Sequence, residues 1–541
     1  MAEKKQKLSL FFGAGAEIDY GMPTGGEFAI DIFRQDDSEG VRHIKEIRKK
    51  IDPNSTYAEW LPRNYQRSQV RQFGTYEYKN IIKSILESRS DDILIFLSKF
   101  DKNCKECIEK LNNLYQEKSL SFNVNVAFEK LLKIHQIDID QVESIQVNIY
   151  EALKQEHSEK IENFLKSKYF SLFIQILNLE QVTNPNESNK KEAEEIKGFV
   201  KSLLELLVSS SGIDIIRNLN EALFKPKDNT INIFDEIDPI FSIDYSNVGV
   251  RGINKVLSKQ EQDNLESHKK FPLKSVSYFA QVILYELYKN IFDYQVLMDD
   301  YFRYLYTPKS DWTKFCKIVT FLYKVKNYIK EKKENISPQK QGYYDDLYKL
   351  DDSLNIEAIG TTNYTDLIIE KYNESEDKVY YLNGFFGYNY DPYLNKIINN
   401  ESRNESSSEC DHFTVPLLFT QSALKPMTAI EMSKKYVDTY DNFKKSDIVC
   451  VIGFGFNGDD GHINSLFRSL LEESYSNQSG PKIIVMKYSR DRSEDQSKIF
   501  EEICKKIKVN EDIAKERLFV LPIDRDRQVN GKPWYEALND Y

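Results

Sequence analysis

The chain has 541 residues, 40% of them hydrophobic and 29% charged, and a net charge of −11. That balance is globular, and the length points to about three domains or to one large composite domain with an insertion. An acidic chain argues against a nucleic-acid-binding surface over the whole molecule, which needs clustered Lys and Arg, and leaves room only for a local basic patch. No run approaches the roughly 18 apolar residues of a membrane span, and the MAEKKQKL start has no apolar segment of signal length. Six cysteines are too sparse for a disulfide scaffold in a chain this long. The expectation is a cytoplasmic protein with no membrane and no direct nucleic-acid partner.

The first element is the apolar run from Leu8 to Phe12, which glycine ends as it would a buried strand. The turn Gly13-Ala14-Gly15 follows, Gly21 is placed for a left-handed cap, and Pro23 stiffens the exit. Thr24 to Glu27 has capping-box spacing, and FAIDIF continues as a helix. Strand signals then almost vanish. The stretches 81–88, 91–100, 198–210 and 278–306 repeat apolar residues at i, i+3 and i+4, which predicts amphipathic helices.

Strand signals return in the last third, at 355–362, 378–384, 414–420, 447–455, 482–488 and 517–523. Helical patterns at 460–474 and 496–508 separate several of them, which argues a parallel sheet covered on both faces. Leu8–Phe12 would be that sheet's first strand. The segment 395–413 is so polar that it reads as a mobile loop.

A GxG turn after a strand lets a pyrophosphate approach the next helix, but alone it is also a common plain turn. Taken together, GAGAEIDYGMPTG, GTTNY at 360–364, YYLNG at 380–384 and VIGFGFNGDDGHIN at 451–464 are more specific. In this order, each at a predicted strand end, they resemble the motifs of the sirtuin (SIR2-like) superfamily. The resemblance covers about residues 8–34 and 355–523. It implies an α/β fold, a Rossmann-like parallel sheet without a zinc module, split by a large all-helical insertion. The segments would be 1–35, 36–350 and 351–541, the first and last forming the sheet domain.

The resemblance also implies NAD as substrate and cleavage between nicotinamide and ribose. Deacetylating members carry two CxxC pairs after the His-Gly strand. Here the one CxxC is Cys104–Cys107, inside the insertion, and Cys410 stands alone. No metal is expected. What remains is similar to zinc-less bacterial immune effectors that destroy NAD on phage infection. Asn363 matches the asparagine that orients water or ribose. Gly13, Ala14 and Gly15 would hold the pyrophosphate. Glu17, Pro23, Thr362, Asp366, Gly453, Phe454, Gly455 and Asn457 would complete the cofactor site.

Three departures stand out. The family's histidine position is occupied by Asn383, whose amide cannot act as a base. Thr365 takes the place of the usual aspartate, with Asp366 one residue on, and Glu17 stands where a small hydroxyl residue is usual. His462, after a strand end, is the candidate replacement base. The alternative for it is an ordinary residue in a helix's first turn. His412 should fall on the opposite edge, and His43, His135, His157 and His268 are expected to be surface or satisfied polar residues. The expected function is a latent NAD hydrolase switched on in infection by a protein partner or nucleotide signal, with a homo-oligomer allowed. The alternative is a catalytically weak or inactive NAD- or nucleotide-binding sensor or scaffold within a defence complex. The helical middle is the natural place for the activating contact.

Overall fold

The computed structural model describes residues 5–117, 124–133, 158–211, 249–258, 271–350, 354–372, 378–399, 411–425, 429–489 and 496–541. Contacts divide the chain into two compact units, Met1–Phe28 with Gln35–Gln72 and Tyr294–Tyr541, and Ala29–Arg34 with Phe73–Asp293. His135, His157, His268 and Cys410 lie outside the described residues.

The first unit is built on a parallel sheet of six strands: β1 (Gln6–Phe12), β2 (Leu354–Thr361), β3 (Val379–Tyr381), β7 (Ile448–Ile452), β8 (Lys482–Tyr488) and β9 (Leu518–Ile523). Its spatial order is β3-β2-β1-β7-β8-β9. Counted along the chain within the sheet, that is the 3-2-1-4-5-6 order of Rossmann-like doubly wound folds. The order reverses between β1 and β7, so the chain leaves the centre twice in opposite directions and opens a crevice there. Between β1 and β2 the described residues contain no strand.

Alternation along the strands buries both faces. Phe11, Ala358, Val449, Val451, Ile483 and Val485 enter one core, closed by Phe443 of helix Ile430–Lys445, Phe467 of helix Gly461–Asn477 and Ile503 of helix Gln496–Ile507. On the other face the Phe12 ring meets Tyr344 edge-on at 5.0 Å. Farther along, the fully buried Trp534 donates to Asp346, which also pairs with Arg527 at 2.8 Å.

Four readings of the sequence need correction. TVPLLFT is not in the parallel sheet: its core, β6 (Val415–Leu418), joins β4 (Gly384–Asp391) and β5 (Lys396–Asn399) in an antiparallel sheet of order β5-β4-β6. Part of the polar stretch read as a loop is therefore strand, because β5 pairs across a tight turn with Tyr388–Asp391. The helical run 278–306 breaks at 292–294 into helices Pro272–Ile291 and Gln295–Phe302. The helical unit is also narrower than 36–350. Residues 35–72 and those from 294 onward cluster with the sheet, where Asp37 pairs with the buried Lys324 at 2.7 Å and Phe315 packs on Phe413 at 5.4 Å.

The second unit is helical throughout its described residues. Lys190–Ser210 and Pro272–Ile291 pack against each other, and Phe128, Phe173, Phe199 and Phe279 form its aromatic centre. The Cys104–Cys107 pair is buried there, and burial pushes both thiols up, that of Cys107 to about 12. Burial of this kind disfavours the thiolate, the form in which a cysteine reacts.

Candidate functional site

Register aligns Tyr381, Thr361, Phe12, Ile452, Met486 and Leu521 in one row across the sheet. The four motifs each begin within one residue of that row and run past it, so they meet at the carboxyl edge, where open α/β sheets bind ligands.

The two glycine turns are fitted to each other. The Gly13 amide donates to Ile452 O at 2.9 Å and the Gly15 amide to Gly453 O at 2.8 Å. A Cβ on Gly15 would lie 2.7 Å from Gly453 Cα, and one on Gly453 would lie 2.2 Å from Ala16 N. Gly453 also sits at φ +69°, which favours glycine. The Gly13 and Gly15 amides are thus spent on the end of β7 and its loop, and of the amides after them, expected to hold a pyrophosphate, that of Ala16 donates to Gly13 O at 3.0 Å. These glycines set the shape of the crevice floor. Ala14 is exposed beside them, and Gly21 has the left-handed backbone expected of it, at φ +103°.

Asn363 sits at the centre of the floor. Thr361 Oγ1 donates to Phe12 O at 3.0 Å and accepts from the Asn363 amide N–H at 3.0 Å, which fixes the turn after β2. The Asn363 Nδ2 then donates to Gly13 O at 3.1 Å and to the Tyr344 hydroxyl at 3.0 Å. Both side-chain donors are used, and among the described residues Oδ1 takes no hydrogen bond. The residue presents an acceptor and nothing else.

Glu17 lies beneath, only 3% exposed. Its Oε1 accepts from Thr365 at 2.6 Å and from Tyr344 at 3.1 Å. Burial raises its carboxyl from 4.5 to about 7, with these hydrogen bonds opposing and the charge of Asp366 adding. Burial and the Glu17 charge push the Tyr344 hydroxyl well up, so Tyr344 stays a donor. Tyr344 is held in turn by Tyr20, stacked on it at 5.4 Å.

Asn383, just past β3, is 5% exposed and lies between two polar partners. Its Nδ2 donates to Asp460 Oδ1 at 2.9 Å, and its Oδ1 lies 2.9 Å from His462 Nε2. His462 is the second residue of helix Gly461–Asn477. Burial and the Lys425 ammonium hold its imidazole down to about 3, in the same sense as the positive end of a helix. The Nδ1 atom is buried and has no partner among the described residues. Lys425 itself is lowered by burial, against the pull of Asp460, Asp459 and Asp299.

The remaining predicted residues divide plainly. Thr362 is half-buried on the floor, its amide donating to Phe12 O at 3.1 Å. Gly455 and Asn457 are exposed on the β7 loop, and Pro23 is half-buried before the first helix. Phe454 packs into the core on Phe11 at 5.1 Å. Asp366 pairs with Lys333 at 3.0 Å, and its carbonyl starts the helix Leu367–Tyr372, so its charge is already answered. His412 pairs with Asp391 at 2.9 Å and stacks on Tyr57 at 4.0 Å, beside the antiparallel sheet. His43 contacts the Tyr323 hydroxyl, and burial lowers it to about 4.

Reasoning from sequence missed Tyr344, Thr365 as a partner of Glu17, Asp460 and Lys425. Asp460 sits in NGDDGHIN, two residues before His462, and could have been read as its companion. Tyr344 and Lys425 carry no signal in the sequence. Among the described residues, no group of three His, Cys, Asp or Glu side chains could hold a metal ion, and no helix is long and apolar enough to cross a membrane. Compared with models of known families, with curated proteins and with solved structures, the chain finds no match.

Proposed function

We propose that the chain is a sirtuin-like hydrolase that cleaves NAD to ADP-ribose and nicotinamide, held latent until phage infection. The observation that carries this reading is the bond between Asn363 Nδ2 and Gly13 O, at 3.1 Å, where the strand order reverses. It joins the opening glycine motif to the TTNY motif and, with the bond to Tyr344, uses the amide donors, leaving the carbonyl as the acceptor. A water or ribose hydroxyl donating to Oδ1 would be oriented, and positioning of this kind supplies much of what such a site contributes. The bond between ribose carbon and nitrogen breaks with its electron pair leaving on nicotinamide. Water then adds to the oxocarbenium-like ribose and loses a proton.

The two departures at positions 17 and 365 answer each other. A carboxylate has replaced a hydroxyl at Glu17, a hydroxyl has replaced a carboxylate at Thr365, and the two are hydrogen-bonded at 2.6 Å. One hydroxyl and one carboxylate are retained with their places exchanged, which supports a sirtuin-like site over a chance collection of turns. The absence of a histidine at Asn383 is met in space by His462, 2.9 Å away.

A second reading, binding without cleavage, is favoured by one observation: an imidazole held down to about 3 is a poor proton acceptor. The chain would then sense NAD within a defence complex. Overexpression separates the two. Hydrolysis predicts growth arrest and falling NAD with the wild type and neither with Asn363→Ala. Purified protein that binds NAD but releases no nicotinamide, even with its activating partner or nucleotide signal present, would establish the sensor.

A further inference from the structure

Asn383 lies between a carboxylate and an imidazole, and this arrangement has a single consistent set of protons. A carboxylate can only accept, so the Asn383 NH2 group must face Asp460, at 2.9 Å. Its carbonyl must then face His462 Nε2, also at 2.9 Å. A carbonyl accepts, so Nε2 must carry the proton. In a neutral imidazole this leaves the lone pair on Nδ1. Nδ1 is the buried atom without a partner among the described residues. The ring is held on the Tyr436 edge, at 5.5 Å between centroids, and the Tyr436 hydroxyl is bonded to Leu382 O, next to Asn383.

We propose that Asp460 and Asn383 form a relay that fixes His462 as the Nε2–H tautomer, so that Nδ1 is the acceptor for a substrate hydroxyl, a ribose hydroxyl or the attacking water. Asn383 is then a positioning residue: the amide orients an imidazole that stands one hydrogen bond away. Asp460 is a positioning residue one step farther out. The substrate part of this inference rests on the reading of the site as NAD-binding; the tautomer part rests on geometry alone. Burial and Lys425 keep the ring neutral, so the acceptor is open throughout the physiological pH range. A buried acceptor left without a donor costs free energy, and a hydroxyl donated by a ligand would recover it.

The test is nitrogen NMR of the full-length chain labelled with nitrogen-15 in histidine rings only. Six histidines give a spectrum simple enough to assign with His462→Gln. The expected result is a neutral Nε2–H ring at pH 6 whose unprotonated Nδ1 resonance shifts on saturation with ADP-ribose, in the direction of a gained hydrogen bond. In Asp460→Ala, with the acceptor that dictates the amide orientation gone, the Nδ1–H tautomer is expected to appear. The wild-type spectrum decides even if that variant fails to fold. A wild-type ring with the proton on Nδ1, or one protonated at pH 6, overturns the relay whatever binds. A stationary Nδ1 resonance, with ADP-ribose binding established by calorimetry, overturns the acceptor role while the NAD reading stands. If calorimetry finds no binding of ADP-ribose or NAD, the NAD reading fails and takes the substrate role with it. The tautomer still judges the relay.

Discussion

Replacing Glu17 by glutamine should stabilise the sheet unit at alkaline pH and do little in acid. The carboxyl is 3% exposed, and its folded-state value is raised from 4.5 to about 7 by burial. Below pH 4.5 both folded and unfolded chains hold the proton, and the residue costs nothing by this route. Between 4.5 and 7 the unfolded chain sheds a proton that the fold retains, so stability falls as pH rises and levels off above 7. At about 1.4 kcal/mol per pH unit, the full cost is about 3 kcal/mol. Glutamine keeps an oxygen to accept from Thr365 and Tyr344 and cannot ionise. The expected gain is about 2–3 kcal/mol at pH 8.5 and under about 1 kcal/mol at pH 5. Urea unfolding followed by tryptophan fluorescence reads this cleanly, because Trp60, Trp312 and Trp534 all lie in the sheet unit. A gain of equal size at both pH values, or a loss at pH 8.5, would refute the reasoning.

Other outcomes follow from the same geometry. Gly453→Ala places a methyl 2.2 Å from Ala16 N at φ +69°, so thermal melting should show a loss of about 3 kcal/mol or more, or no soluble protein. His462 has its folded-state value lowered from 6.5 to about 3, so the unfolded chain binds the extra proton below 6.5 and stability drops as pH falls. At pH 5 that cost is about 2 kcal/mol, and His462→Gln should flatten this part of the acid limb of urea midpoints, with His43 leaving a residual slope in the same direction. Asn363→Asp should destabilise more than Asn363→Ala, since a carboxylate cannot donate to Gly13 O and would sit by the Glu17–Tyr344 network; denaturation at pH 8 compares the two.

The parallel sheet was legible because buried strands such as KIIVMKY write themselves as unbroken apolar runs between helices. The order in which they lie was not, since nothing local to Leu8–Phe12 says that β2 and β7 will flank it. TVPLLFT looks like those runs and went to another sheet: its partners, β4 and β5, contain too many Tyr, Asn and Asp residues to announce themselves as strands. In the site, the glycines and Asn363 were readable from their motifs, but what each touches was not. Gly13 and Gly15 were expected to make room for a ligand, yet the backbone they admit is Gly453. Asp366 was expected to complete the cofactor site, yet Thr365 bonds Glu17 in the site's floor and Asp366 pairs with Lys333. Tyr344, the link between Asn363 and Glu17, lies in a segment that gave no sign of function. Contacts of this kind depend on side-chain packing across more than 300 residues of chain, which periodicity cannot encode.

The most direct test of the central claim is the content of NAD, ADP-ribose and nicotinamide in phage-infected bacteria. The cells would carry this gene with its genomic neighbours, beside Asn363→Ala and His462→Gln forms. The account predicts that NAD collapses and ADP-ribose rises after infection with the wild type and with neither variant. Steady NAD in all three, with protection against phage retained, would contradict it and make the chain a nucleotide-binding partner of another effector.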